Sequence, residues 1–446
     1  MKILMLCVEF PPVNTTGNYR GAGFAKYFSE NGIETVVLTC DIKSGEETFK
    51  KKSDTLLLNG LENVKIHRFP IKPLNKIWVK GIANRLRIWW KTTDKIAERW
   101  YYGENKINID SIITKEAPDV IYVSLPPFSM VKIALKIAKK FNLPLVTDMR
   151  DAWSLWVIGA FPTRLHYRKT YNLEKAIFSY SSLVIGVTPE LMNDFRNQHP
   201  EISSQKFKTI YNGYDDFDVK DYQEQNTDKS LFKIGYVGSF YFDPKIEKTK
   251  AIAWYKRKGL KKLYYSPRKE EWIYRSPYFF LKSLSELFKI DNTLRSKVYF
   301  EFIGNLPNWL NDMIIEFSLE DNFMNHGFKS KSEVLQIQSG WDAILATSEK
   351  VTNGEHFCLP SKIFDGVVSG KKIFAFITPG SQYNFLKNYA QVSFYNPDEI
   401  EQNALKLKKS ISCRDNKFEM DKLSDEYYRE NQAKNLFHMF NNLKIK

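Results

Sequence analysis

The chain has 446 residues, 43% of them hydrophobic and 15% aromatic, which excludes global disorder and calls for two domains rather than one. Its net charge of +15 is unevenly spread: residues 73–102 carry +5 and residues 245–275 carry +8, so the rest is nearly neutral. Two local basic patches, not a generally basic surface, therefore need a physical reason. In chain order, KILMLCV (2–8) reads as a first strand and not as a signal peptide, because it is short and stops at a glutamate and two prolines. Further strands are expected at 34–40, 64–69, 119–124, 144–149 and 182–188, with helices at 22–31 and 129–141 between them. That alternation specifies an α/β fold with a mostly parallel sheet covered on both faces. After about residue 205 the pattern restarts, with strands expected at 232–239, 297–304, 321–327, 341–347, 371–377 and 391–396, and a helical end from Asp421. Two Rossmann-like domains follow, 1–205 and 206–420, with a polar, acidic boundary around Ser203–Tyr222 and a C-terminal helix over 421–446. In such sheets ligands bind beyond the carboxyl ends of the strands.

Four cysteines, Cys7, Cys40, Cys358 and Cys413, have no pairing or metal-ligand spacing and fit a reducing cytoplasm. No apolar run is long enough to cross a bilayer. GAGFAK (21–26) lies too far beyond the first strand and lacks the third glycine of a dinucleotide fingerprint. The loop EFPPVNTTGNYRGAG (9–23) offers Gly17 for close backbone approach and Arg20 at the mouth of a helix, where free amides favour an anion; the alternative is a plain loop with an exposed arginine. In TDMRDAWSLW (147–156), Asp148, Arg150 and Asp151 follow a buried-looking strand and alternate with Trp153 and Trp156. Carboxylates and an arginine there suit proton transfer or sugar hydroxyls, and tryptophan faces suit sugar C–H surfaces; the alternative is a structural Arg–Asp pair. YNGYDD (211–216) reads as a turn. LPSKIFDGVVSGKK (359–372) reads as a helix introduced by Pro360 and ended at Gly370, with Lys362 and Asp365 on one face of its first turn. Ser361, Lys362 and Asp365 supply groups for phosphate and ribose; a surface Lys–Asp pair is the alternative.

These stretches, in this order, resemble the retaining GT-B glycosyltransferases of family 4, also called glycosyltransferase group 1. The resemblance covers roughly 1–240 and 275–410 and rests on EFPP…G…R, DMRDAW, LVIGVT, YNGYD, GYVGS, FEFIGN, the HG of FMNHGF and LPSKIFDGVVSGKKI. It implies two Rossmann-like domains facing a central cleft, with the C-terminal helix returning to the N-terminal domain. It also implies transfer of a sugar from a nucleotide-diphosphate donor, held by the C-terminal domain, to an acceptor hydroxyl at the N-terminal one, without a metal or other cofactor. By position, Gly17 would approach the diphosphate, with Arg20, Gly238, Ser239 and Arg275 as further donor contacts and Arg268 a weaker one. Asp151, beside Arg150, would lie near the reacting carbon, and Asp365 matches the second acid of the family's E-x7-E pattern. The pattern's first acid is missing: eight residues before Asp365 stands Phe357, and Glu355 is ten before. Glu355 and His356 are the candidates for the sugar hydroxyls.

Trp78, Ile82, Leu86, Trp89, Thr93, Ala97 and Trp100 recur at helical spacing within the basic segment 76–102, with Lys80, Arg87, Lys91 and Lys95 mostly off that face. With the basic insertion 241–272, this points to an anionic membrane surface and a glycan or polyprenyl-linked acceptor, hence a peripheral protein at the inner face of the membrane. The alternative is a helix packed on its own domain. Nucleic-acid binding leaves the two sugar-nucleotide-type domains without a role and is not expected. A non-catalytic partner protein and a nucleotide-sugar epimerase are the remaining readings.

Overall fold

Most of the strands are short, largely apolar runs buried on both faces, as parallel strands require. In the computed structural model, which describes residues 1–73, 94–155, 160–215, 230–245, 256, 259–413 and 423–443, the chain divides into two units. The first comprises Met1–Gly213, Lys258–Pro267 and Asp425–Lys446; the second comprises Tyr214–Arg257 and Arg268–Ser424. The change at Gly213 falls inside the polar stretch read as a boundary.

The first unit holds a seven-stranded parallel sheet in the order β3-β2-β1-β4-β5-β6-β7. Its strands are β1 (Lys2–Leu6), β2 (Glu34–Cys40), β3 (Lys65–Phe69), β4 (Val120–Leu125), β5 (Leu145–Met149), β6 (Leu183–Gly186) and β7 (Phe207–Thr209). The order reverses between β1 and β4, so the loops after these strands frame the crevice where such sheets bind ligands. β7 is three residues long and carries no pattern that marks it as a strand. The helix Asn18–Glu30 begins four residues before the expected Ala22, since Gly17 already has helical backbone angles and no side chain caps the end.

The second unit holds a six-stranded parallel sheet in the order β11-β10-β8-β12-β14-β15. Here β8 is Phe232–Val237, β10 Val298–Ile303, β11 Phe323–Asn325, β12 Ala343–Thr347, β14 Lys372–Phe376 and β15 Val392–Tyr395; β9 (Glu270–Glu271) and β13 (Lys350–Val351) form a separate antiparallel pair. The reversal lies between β8 and β12. Phe280, Phe300, Phe302, Phe374, Phe376 and Tyr395 build its core.

The C-terminal helix Arg429–Asn441 returns to the first unit, as expected. It buries Ala433, Leu436 and Phe440 against the core of β1 and the helix Asn18–Glu30, with the Phe440 ring 5.8 Å from that of Phe28. Its Arg429 donates to the Gly213 carbonyl at 2.7 Å, and Tyr427, just before the helix, packs on Tyr211, so this end of the chain holds 211–213; no turn forms at 211–215, and Asp216 lies outside the described residues.

The described part of the basic segment 76–102 contains the helix Ile96–Tyr101. Ala97 and Trp100 are buried in the first unit, and the Trp100 indole donates to the Thr39 carbonyl at 3.0 Å. These two positions are core and not a membrane-facing surface; Trp78, Ile82, Leu86, Trp89 and Thr93, with Lys80, Arg87 and Lys91, lie outside the described residues, and Lys95 is exposed. Among the described residues no helix is long and apolar enough to cross a membrane. From the insertion, Tyr265 exchanges backbone hydrogen bonds with Phe161 at 2.8 and 2.9 Å and packs on Tyr167.

Removing the Phe440 ring leaves a cavity under the helix Asn18–Glu30. We expect Phe440→Ala to cost about 3–5 kcal/mol, read as an earlier urea transition of the first unit with the second unit's transition unchanged.

Candidate functional site

At the carboxyl end of the first sheet, charges are matched pairwise. Arg20 is buried in the first turn of its helix, and its Nε lies 2.8 Å from Oδ2 of Asp148 on β5. The Tyr122 hydroxyl donates to the same carboxylate, and Arg20 also donates to the Tyr211 carbonyl. Burial opposes the Arg20 charge, but Asp148 and Tyr122 more than offset it and raise its pKa. Burial, then Asp148, pushes the Tyr122 phenol well up. Arg20 is thus a structural cation tying the first helix to the middle of the sheet, and the expected donor contact is corrected accordingly.

Arg150, one residue beyond β5, donates to the Pro126 carbonyl and lies 3.6 Å from Glu9, which follows β1. A Cβ on Gly17 would stand 2.0 Å from Arg150 Nη1 and 2.6 Å from Glu9 Oε2. The Arg150–Glu9 pair thus occupies the space a side chain at position 17 would take, and here it is this pair that approaches Gly17 closely. Asp151 is partly buried next to Arg150. The structure therefore brings Glu9, Gly17, Arg150 and Asp151 to the switch point of the first sheet. Glu9 was not singled out by sequence, although an acid directly after an apolar first strand marks such a place.

Trp153 is buried, and its face is covered by Phe128, stacked at 5.1 Å and 6°. It offers no platform to a sugar; Trp156 lies outside the described residues. The loop itself is anchored by Glu174, which accepts from the Ser154 amide at 2.9 Å and hydroxyl at 2.5 Å and lies 2.9 Å from His199.

The second sheet presents a different chemistry at its own switch point. The Lys362 ammonium lies 3.3 Å from the carbonyl of Val237, the last residue of β8, and 3.5 Å from the centre of the Tyr236 ring. No carboxylate among the described residues pairs with it. Desolvation, reinforced by the nearby Arg275 charge, lowers its pKa well below the usual lysine value. Arg275 pairs with Glu349 just beyond β12 at 3.1 Å, donates to Cys358 Sγ at 3.2 Å and is flanked by Tyr241 and Trp272. Burial opposes the Arg275 charge, yet Cys358 and Glu349 outweigh it and raise its pKa. Burial likewise works against ionised Glu349, but Arg275 and then His356 keep its pKa low.

Gly238 closes this edge with φ +105°, and the Cβ that Gly304 lacks would stand 2.5 Å from the Gly238 carbonyl. The turns after β8 and β10 thus need glycine for both backbone angle and approach. Ser239 and Ser361 are exposed, and Ser361 makes no side-chain cap at the start of the helix Lys362–Val368. Asp365 sits one turn on, half-buried.

Two expected residues separate here. Glu355 is exposed, with its carbonyl accepting from Arg268, whose Nε lies 3.3 Å from Glu270. His356 is fully buried; its backbone pairs with Pro379 and Ser381, and a Cβ on Gly380 would collide with it. His356 is therefore packed inside this loop, while Glu355 beside it is exposed. Glu349, Tyr236 and Cys358 were missed, because their partners are far away in sequence. Among the described residues no group of His, Cys, Asp and Glu could hold a metal ion.

The fold is that of the GT-B glycosyltransferases. No family model matches the sequence, and no curated protein matches it either. In structure the chain is similar to Anabaena Alr3699/HepE in complex with UDP and glucose, with TM-score 0.61 and 13% identity over 99% of this chain and 100% of that one. It is also similar to sucrose-phosphate synthase from Thermosynechococcus elongatus, with TM-score 0.64 and 11% identity over 99% and 98% of the two chains. WaaG, a glycosyltransferase involved in lipopolysaccharide biosynthesis, aligns with TM-score 0.53 and 11% identity over 99% and 96%.

If Arg20 is structural, its loss should act through folding. Arg20→Met leaves Asp148 buried and unpaired, with an expected cost of about 3–5 kcal/mol in denaturant titration. The affinity of the folded fraction for UDP, measured calorimetrically, should be unchanged, whereas a donor contact would lose it.

Proposed function

We propose that this protein is a retaining glycosyltransferase that moves a sugar from a nucleotide-diphosphate donor to a hydroxyl of a glycan or lipid-linked acceptor, in bacterial surface polysaccharide synthesis. The observation that carries the reading is Lys362: a partly desolvated ammonium with no carboxylate, beside Arg275, at the switch point of a Rossmann-like sheet. Such a cation is unsatisfied until an anion arrives, and a diphosphate supplies one. Arg275 then stabilises the charge that grows on the leaving diphosphate, with no metal required. Asp365 takes the ribose, and Glu355 the hydroxyls of the sugar. UDP is the first nucleotide to test, since HepE was solved with UDP and with UDP-glucose. The cluster of Glu9, Arg150 and Asp151, in which Arg150 is paired with Glu9, receives the acceptor, with Asp151 as the carboxylate for its hydroxyl. The work in lipopolysaccharide biosynthesis attributed to WaaG fits a cytoplasmic protein working at the inner face of a membrane.

The depressed lysine makes the test specific. An anion raises the pKa of Lys362, so above its free value each binding event takes up a proton and affinity falls by up to about tenfold per pH unit. Below that value the lysine is charged in both states and contributes no pH dependence. Between the free and the anion-bound value, and clear of the phosphate's own titration near about 6, UDP binding should show proton uptake across buffers of different ionisation enthalpy. Lys362→Met should abolish binding while raising the melting temperature of the ligand-free protein by about 1–4 °C, because a costly cation has gone. Unchanged UDP binding by Lys362→Met would overturn the reading. Binding of UDP-sugars with no turnover would leave a non-catalytic nucleotide-binding protein.

A further inference from the structure

The carboxyl ends of β14 and β15 open onto a cavity of about 840 Å³ within the second unit, inside the usual range of about 300–1,000 Å³ for small-ligand sites. Neither Lys362, Arg275, Gly238 nor Asp365 lines it, so it is distinct from the cationic cluster. Its wall combines an aromatic face with uncharged hydrogen-bonding groups. Tyr383, on the helix Ser381–Leu386, is 42% exposed, and its ring is held 4.9 Å from that of Phe394 on β15. The amides of Asn353 and Gln402 are exposed at the rim.

The cavity is lined by two cations and two carboxylates, and each has a partner within the wall. Lys350 lies 2.7 Å from Asp398 and 3.0 Å from the Tyr274 hydroxyl. The Lys406 ammonium is held by the Phe394 carbonyl and lies 5.4 Å from the Tyr395 ring. Glu399 accepts from the Asn396 amide at 2.7 Å. A phosphate would be opposed by Asp398 and Glu399, with Lys350 already paired and Lys406 exposed to water, and a wholly apolar ligand would strand the amides. A neutral polyol with one C–H face satisfies both halves of the wall: its hydroxyls exchange hydrogen bonds with amides and carboxylates, and its flat side covers the tyrosine ring.

We propose that this cavity binds a neutral saccharide of the glycan on which the protein acts, with Tyr383 as its stacking platform and Gln402 and Asn353 as hydroxyl partners. The inference rests on the glycosyl-transfer reading for its role. It gives the second unit a grip on the glycan apart from the reacting donor, so that chain length or composition is sensed away from the bond being made.

The test is saturation-transfer NMR on the full chain with methyl β-glucoside, methyl β-galactoside, N-acetylglucosamine and lactose as probes, with and without saturating UDP. We expect at least one saccharide to bind in the presence of UDP. Its affinity should fall about fivefold or more in Tyr383→Ala, the loss of roughly 1 kcal/mol of contact, and should also fall in Gln402→Ala. Tyr383→Phe, which keeps the ring, should retain it. UDP affinity should be the same in all three variants, which also shows that they are folded. No saccharide signal in a protein that binds UDP overturns this inference alone. A signal displaced by UDP, or indifferent to Tyr383→Ala, places the sugar elsewhere and overturns it too. Saccharide binding lost with Tyr383 in a protein that never binds UDP supports the cavity and overturns the donor reading instead.

Discussion

An ammonium drawn out of water with no carboxylate among the described residues to meet it is a demanding arrangement, and the switch-point edge of the second sheet carries it. Among the described residues Lys362 is met by the Val237 carbonyl and the face of Tyr236, both from the end of β8. A carbonyl and a ring offset part of the desolvation and leave the cation hungry for an anion. The neighbouring Arg275 would deepen that deficit if it were not tied to Glu349. The pair keeps one strong positive group in place while letting the other remain uncompensated. Such a site lowers the stability of the empty protein in exchange for ligand affinity.

The first unit solves the opposite problem. Arg20 is bound to Asp148, and Arg150 to Glu9, so each arginine at its sheet edge is matched by an acid, with Asp151 beside them. On the transferase reading this contrast follows from the substrates. A nucleoside diphosphate brings negative charge and needs a cationic seat, whereas an acceptor hydroxyl is neutral and needs a polar pocket with a fixed carboxylate. Two sheets of the same topology thus acquire different chemistry through the residues that follow their strands, which is where this fold leaves sequence free to vary.

Much of this was legible from sequence. The strands stood out because parallel strands buried on both faces are nearly uninterrupted apolar runs, as in β2 and β4. Lys362 stood out because a lysine directly after Pro-Ser, before a short apolar helix, has few reasons to be there. Arg20 was misjudged for a reason that periodicity cannot repair: its acid lies 128 residues away. Trp153 failed similarly, since nothing local reveals that Phe128 covers its face. Glu349 looked like an ordinary polar residue after a strand, and only the turn that brings in Arg275 gives it a role. Ranges of elements follow from local pattern; the pairing of charges follows from topology, and a single sequence shows that only indirectly.

The missing first acid of the E-x7-E pattern can now be reconsidered from geometry. Glu349 is no substitute, because it is buried and its charge is engaged by Arg275. His356 is packed beneath Gly380 and cannot turn outward without breaking the backbone pairing that joins its strand-like segment to Ser381. Phe357, which occupies the expected position in sequence, has no group to offer a hydroxyl. Glu355 is the member of this run that is both acidic and exposed. On the transferase reading, that exposure makes Glu355 the residue to meet a sugar hydroxyl, two positions before the place where the pattern puts its first acid.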